Sequence, residues 1–560
     1  MKNPVALLRT ILTGIVVVLS HAVSAAPADP LLMDSASPPP HDAWGFNAEV
    51  GGSVCGIQTF DAYSPGLLPA DDPARRWADE ALQAVRRKVA EVHARGQRCF
   101  VGTDLFVLPK ALVARHRDEI CDEKGRLDIH RPKMWEIFRA MLAETLEKVP
   151  DLDGIVVRTG EVYLHRYPHH AASGDFSEDK RQGGSAILRG PESHREILSI
   201  LRDEVCVKRG KTVIYRTWSF GEGSFHESPG YYLKVTDAIE PHPNLIFSVK
   251  HQKGDFHQLT PFNPTLMIGR HRQIIEVQSQ REAYGKGAHP YYIGSGVIDG
   301  WEEYAWMMKP GVPKGLRDVV SHPLYAGVWT WSRGGGWEGP FIRNGLWCEL
   351  NTYVVAGFVR NPALTEEAVF RRFAREELRL SEPDADRFRE LCLLSAKAVL
   401  RGQLTTLGAD IDVWWARDHF FEEPDLSDFA RRGLAEKALA EKAEAVAMWR
   451  DIERLAGEIR FADPETAEFV KTSATYGRIK YAIVEQAWTI FLVGKAGDAS
   501  GRYDRQKLRE AIDRYDALWI EWRELGKAHP SCASIHKDTG FEGRPGMGAG
   551  VDRYRRFVGR

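Results

Sequence analysis

The 560-residue chain carries 75 Lys and Arg against 77 Asp and Glu, a formal net charge of −2, with 43% hydrophobic and 27% charged residues. That composition is ordinary for a soluble globular protein, and it excludes a global electrostatic basis for binding nucleic acid or an anionic membrane, so recognition of an acidic ligand has to be local. The length accommodates an α/β barrel of ~250 residues and a substantial second domain.

Lys2 and Arg9 precede an apolar run from Ile11 to Leu19 and the small residues Ala22, Ser24, Ala25 and Ala26. This is the three-part pattern of a secretory signal peptide, over residues 1–26, with an apolar part too short for a comfortable membrane span. Export to the periplasm or the cell exterior is expected, with no integral membrane segment. Residues 27–43, with Pro38, Pro39 and Pro40, read as a linker. The seven cysteines are scattered without a CxxC pair. An oxidising compartment permits disulfides, but the odd number leaves at least one thiol free unless it pairs between chains.

From residue 44 the chain alternates strand and helix patterns. Phe46 to Val50 reads as a first strand, Arg75 to Ala94 as a helix, Cys99 to Leu105 as a strand, Lys133 to Val149 as a helix and Gly154 to Arg158 as a strand. A Gly-rich, charged excursion from His169 to Gly184 reads as a long loop, and Ser193 to Arg209 as a helix. Strands follow at Thr212 to Trp218, Leu245 to Val249, Gln273 to Gln278 and Tyr325 to Trp331, with a weaker candidate at Leu316 to Val320. This order predicts an α/β fold, a (β/α)8 TIM barrel over residues 44–343. A doubly wound open sheet is the rival, disfavoured by the lack of a Gly-rich nucleotide turn after the first strand. Leu364 to Leu378, Asp384 to Leu400, Leu426 to Ala456, Glu465 to Leu492 and Asp504 to Leu525 read as helices of a C-terminal domain over residues 344–528. Residues 529–560 read as an irregular tail. A homodimer through the helical domain is left open.

Barrel enzymes draw their chemistry from the C-terminal ends of the strands. In order these positions give Arg158 and Glu161, Arg216 and Trp218, Lys250 and Asp255, Glu282, then Trp329 and Trp331. Glycosidic bond cleavage needs two carboxyl groups in different protonation states. Cations hold a substrate carboxylate through charge-assisted bonds, and some of the 16 Trp can stack on sugar faces. The plainer readings stand beside these: Glu161 as a cap or loop residue, and Asp255 after Gly254 as a turn former. Glu276 alternates with Ile274 and Gln278, so it points into the barrel as a structural or a ligand-binding carboxylate. His169 and His170 are adjacent and lack the i, i+4 spacing of a helical zinc site, so no metal and no cofactor is expected.

The stretch IEVQSQREAYG, preceded by KHQKGDF and VIYRTW, with DGIVVRTGE, AGVWTW and RNPALTEEAVFRRF in the same order over roughly residues 75–375, resembles the glycoside hydrolase family 67 α-glucuronidases. The resemblance implies removal of glucuronic acid or its 4-O-methyl ether from xylo-oligosaccharides, as in xylan degradation, with inversion and without a metal. It implies Glu161 as general acid, Asp255 and Glu282 as the carboxylates that activate water, and Arg216 and Lys250 as holders of the uronate. Arg158 is a less direct match, because the family carries a lysine just before its acid. The family also has a sizeable β domain before its barrel, and the loop from His169 and the WSRGGGWEG segment depart from its pattern. The expectation is an exo-acting inverting hydrolase of a uronic-acid-containing oligosaccharide. Its substrate-binding residues are Arg158, Arg216, Trp218, Lys250, Glu276, Trp329 and Trp331. A non-catalytic uronide-binding protein and a retaining glycosidase on a neutral sugar are the alternatives.

Overall fold

Eight short segments pair side by side, all parallel, into a closed barrel. They are β1 (Leu31–Asp34), β2 (Ala48–Ser53), β3 (Arg98–Asp104), β4 (Gly154–Arg158), β5 (Thr212–Arg216), β6 (Leu245–Lys250), β7 (Arg272–Gln278) and β8 (Tyr325–Trp331). The computed structural model describes residues 30–34, 42–159, 162–172, 188, 190–218, 225–254, 256, 258–279, 288–331, 344–403, 405–407, 426–529 and 547–559. Side chains alternate across each strand. One set, Leu31, Met33, Ala48, Phe100, Val156, Ile214, Ile246, Ile274 and Trp329, draws on every strand and forms a single cluster along the barrel axis. The other set, including Val101, Ile155, Val157, Val213 and Phe247, packs outward with helical residues such as Val85, Val89, Ile137 and Leu198.

Local chemistry starts the helices where the alternation breaks. Helix α1 (Pro73–Ala94) has proline in its first turn and a cap from the Asp72 side chain, which accepts from the Ala74 N–H. Its buried Ala78, Leu82, Val85, Val89 and Val92 fall on one face. The next barrel helices are α2 (Pro132–Lys148), α3 (Gly190–Leu201), α4 (Pro229–Thr236) and α5 (Gly294–Asp299). Beyond β8 run α6 (Leu346–Arg360), α7 (Glu366–Glu376), α8 (Glu382–Gln403), α9 (Ala435–Glu458), α10 (Pro464–Ser500), α11 (Arg505–Ala528) and α12 (Met547–Arg555). This helical region shares a core with the barrel, because Val249, Ile275, Val277 and Val328 cluster with Val354, Phe358, Phe370, Phe388 and Trp449.

Several sequence expectations need correction. Leu316 to Val320 is not the missing strand; Leu316–Asp318 is a short 3-10 turn. The eighth strand is β1, inside the stretch read as linker, and it closes the barrel between β2 and β8. Asn47 ties it in: its Oδ1 accepts from the Leu32 N–H at 2.9 Å, and its Nδ2 donates to the Pro30 carbonyl at 3.0 Å. On the other side the backbone of β8 comes so near that a Cβ on Gly327 (φ +136) would lie 2.0 Å from the Leu31 carbonyl oxygen. The strand expected at Phe46 to Val50 runs over Ala48–Ser53. The helix expected from Leu426 to Ala456 is broken near Gly433, whose φ of +67 stops the first piece at Arg431. The tail expected to be irregular contains α12, which buries Met547, Gly550, Val551 and Tyr554. Cys55, Cys99, Cys121, Cys206 and Cys392 are free and buried, and Cys348 is buried as well; Cys532 lies outside the described residues.

Candidate active site

Because the axial cluster fixes which side chains face inward, the same parity carried toward the C-terminal end of each strand names the residues at the barrel mouth. Ile214 leads to Arg216, Ile246 to Ser248 and Lys250, Ile274 to Glu276, Val156 to Arg158, and Phe100 to Asp104. Trp329 and Trp331 complete the set from β8. Of the residues read from sequence, the structure thus gathers Arg158, Arg216, Lys250, Glu276, Trp329 and Trp331, with Trp218 just beyond the end of β5. Glu161, Asp255 and Glu282 lie outside the described residues.

Glu276 is fully buried and is held on three sides. The Arg216 guanidinium donates to it bidentately, Nε to Oε1 and Nη2 to Oε2, both at 2.8 Å, and the Ser248 hydroxyl donates to Oε1 at 2.8 Å. Burial alone pushes the Glu276 carboxyl up, but the Arg216 and Lys250 charges and the Ser248 hydroxyl hold it below the ordinary carboxylate value. The guanidinium itself lies 5.3 Å from the Trp329 ring and 5.0 Å from the Trp331 ring, and the two indoles lie 5.4 Å apart. Trp329 Nε1 is buried without a hydrogen-bond partner among the described residues.

Lys250 pairs in register with Glu276 and is 1% exposed. Its ammonium sits 3.4 Å from the Trp218 ring centroid and 4.8 Å from that of Phe256, a cation between aromatic faces. Phe256 has φ +67 and Gly254 φ +80, so the backbone on both sides of position 255 is left-handed. For a bulky residue such as Phe256 that conformation is strained. His251, next to Lys250, is buried against Phe256, and burial pushes it down to about 3 against the opposing pull of the Glu276 backbone and the Gln252 side chain, so the ring is neutral.

Across the mouth stands a second fork that sequence reasoning missed. Arg158 Nε donates to Asp104 Oδ1 at 2.5 Å and Nη2 to Oδ2 at 2.7 Å, while its guanidinium covers the Tyr163 ring at 5.1 Å. Asp104 is buried and Arg158 is partly exposed. The available signal was parity: Asp104 closes a strand whose Phe100 faces the axis. Of the excursion from His169, the described part opens with His170–Ala171, which pair antiparallel with Leu108–Pro109. His170 is packed against Trp77 and Tyr167, and burial lowers it to about 4.

No protein-family model matches the chain, and no curated protein matches it. Among solved structures, the chain is similar to a family 138 glycoside hydrolase described as targeting pectin rhamnogalacturonan II. The TM-score is 0.53 at 11% identity, over 88% of this chain and 57% of that enzyme. The chain therefore spans little more than half the length of that enzyme. An alignment with a Thermobaculum terrenum O-GlcNAc hydrolase covers 95% of this chain and 94% of the other, at 11% identity and a TM-score of 0.37, too low to argue from. The first likeness shows the shared barrel fold; neither shows family 67.

Proposed function

We propose that the protein is an exo-acting glycoside hydrolase that releases a uronic acid, glucuronic acid or its 4-O-methyl ether or a close relative, from an oligosaccharide with inversion. The observation that carries this reading is the placement of Lys250: a buried ammonium, caged by Trp218 and Phe256, at the end of a barrel strand. Such a cation suits a sugar carboxylate, and the indoles of Trp218, Trp329 and Trp331 suit the apolar face of the ring. The left-handed backbone of Phe256 adds support, since strain of this kind collects at functional sites.

In this reading Glu161 protonates the leaving oxygen, and Asp255 or Glu282 deprotonates water on the opposite face of the sugar. The acid and base carboxyl groups then stand about 6.5–9.5 Å apart to admit that water. Arg216 acts through Glu276, fixing the wall beside Lys250. The N-terminal pattern supports export to the periplasm or the exterior.

A second reading, a retaining glycosidase acting on a neutral sugar, is favoured by one observation: Glu276 already engages two arms of the Arg216 fork. Incubation with a panel of uronate-capped and neutral oligosaccharides, followed by NMR of the products, decides between them. Release of a uronic acid whose first-formed anomer is inverted is the expected result. Net retention sinks the inverting mechanism, and turnover of neutral caps alone sinks the uronidase.

A further inference from the structure

A cleft of about 510 Å³ is lined by Glu302, Glu303, Trp306, Arg401 and Thr406, none of which belongs to the barrel mouth. It lies where the barrel meets the helical region. Glu302, Glu303 and Trp306 follow α5, Arg401 stands near the end of α8, and Thr406 lies just beyond it. The volume falls within the range of small-molecule sites, roughly 300–1,000 Å³.

The walls are built rather than incidental. Thr405 Oγ1 and the Thr406 N–H and hydroxyl all donate to the Glu441 carboxylate, at 2.6, 2.7 and 2.5 Å, which fixes the turn presenting Thr406. Glu303 is only 3% exposed; its Oε1 accepts from Gln258 Nε2 at 3.3 Å, and its Oε2 has no partner among the described residues. Arg401 reaches Glu444 through Nε at 3.3 Å, but its buried Nη1 likewise has no partner among the described residues. Against these polar groups stands Trp306, 54% exposed.

An exposed indole in a cleft lined by carboxyl, guanidinium and hydroxyl side chains matches a sugar ring, which offers an apolar C–H face and a rim of hydroxyls. The charges argue against an ionic ligand. Glu302 opposes an anion, while Arg401 and Lys397, which pairs with Glu302 at 3.2 Å, oppose a cation. Burial pushes the Glu303 carboxyl up, toward the neutral form that both donates to and accepts from a hydroxyl. The loop that follows β6 braces the cleft from behind. Gln252, two residues past Lys250, donates to the Tyr304 hydroxyl at 2.9 Å, and Gln258 of the same loop holds Glu303.

We propose that this cleft is a second saccharide site, separate from the barrel mouth, that holds an uncharged sugar unit of a longer glycan with Trp306 stacked on its ring. The choice of ligand class rests on the glycosidase reading; the site itself does not.

The test is calorimetric titration of the full chain with neutral cello-, manno-, xylo- and galacto-oligosaccharides, tetra- to hexasaccharides, in the wild type and in Trp306→Ala, Glu303→Gln and Lys250→Met. We expect one of these series to bind, Trp306→Ala and Glu303→Gln each to weaken it about tenfold or more, and Lys250→Met to leave it unchanged. Trp306 is exposed enough for truncation to spare the fold, and circular dichroism checks Glu303→Gln. Failure of every series to bind overturns the proposal, as does wild-type binding in both cleft variants, or loss of binding in Lys250→Met, which puts the sugar in the mouth. Neutral-sugar binding without hydrolysis of any glycoside removes the glycosidase reading and leaves the site standing.

Discussion

Glu276 receives two arms of the Arg216 fork at 2.8 Å each, on the axis of a closed barrel and out of contact with solvent. Removing one member of such a pair strands the other as a buried charge, at a cost of about 3–5 kcal/mol, whereas replacing both with apolar groups costs much less. We therefore expect Arg216→Ala and Glu276→Ala each to lower stability by about that much, and Arg216→Met combined with Glu276→Leu to be milder than either. Urea unfolding at neutral pH measures all three, and a double variant as weak as the sum of the singles would contradict the pairing.

The same mouth sets an acid limit on stability. Glu276 is held below its ordinary value of 4.5, so its contribution is complete above that value and is lost as pH falls through the lowered one. His251 is pushed down from 6.5 to about 3, so the unfolded chain binds its proton first, and stability declines as pH falls across that window. His251→Leu removes the second effect. Thermal unfolding should find the variant gaining on the wild type as pH falls from 6.5 toward 3; a constant difference across the window would mean the ring does not titrate as described.

Lys250→Met keeps the aliphatic stem between Trp218 and Phe256 and deletes the charge. On the proposed function, kcat/KM for a uronate-capped oligosaccharide should fall about a hundredfold, roughly 2.7 kcal/mol. The matching substrate with the carboxylate reduced to an alcohol should lose much less. An equal loss on both substrates would show that the ammonium does not read the carboxylate.

The Asp104–Arg158 fork is bidentate, a geometry that lysine does not reproduce. Arg158→Lys should therefore behave like Asp104→Asn, each slowing turnover by about tenfold or more, with stability losses of about 1–3 kcal/mol. Steady-state kinetics beside chemical unfolding separates the two effects. Full activity in Arg158→Lys would leave the fork with a packing role alone.

At the barrel seam, Gly327→Ala would place a methyl 2.0 Å from the Leu31 carbonyl oxygen at a φ of +136. Backbone cannot yield there as a side chain would, so we expect a loss beyond about 4 kcal/mol or no soluble protein. Gly311→Ala is the control: its φ is also positive, at +82, but its surroundings are open. Similar melting temperatures for the two variants would show that the seam is not tightly closed.

Much of this fold is legible in the chain because long amphipathic helices and apolar strands carry their own periodicity. The helix expected at Arg75 to Ala94 runs over Pro73–Ala94, and the strands at Gly154–Arg158 and Tyr325–Trp331 lie where the pattern puts them. β1 escapes the same reading because four residues, LLMD, cannot show a period, and prolines follow soon after. Its partners, β2 and β8, are what make it a strand. At the mouth, Arg216, Lys250 and Glu276 were visible as ionisable groups on apolar strands. Which cation meets which carboxylate depends on strands far apart in sequence, so no local pattern contains it. Asp104 was overlooked for a related reason: an acid ending a strand looks like a turn residue until its partner on the next strand is known.

The seam between β1 and β8 also orders events in time. Thr330 donates to the Met33 carbonyl at 3.2 Å across 297 positions of sequence. On a ribosome Leu31–Asp34 emerges before any other barrel strand, yet half of its hydrogen-bonding edge has no partner until Tyr325–Trp331 is made. A chain lacking β8 therefore holds an open sheet with an unpaired edge at each end, the arrangement most exposed to mispairing. Closure across so long a loop belongs among the slow steps of folding.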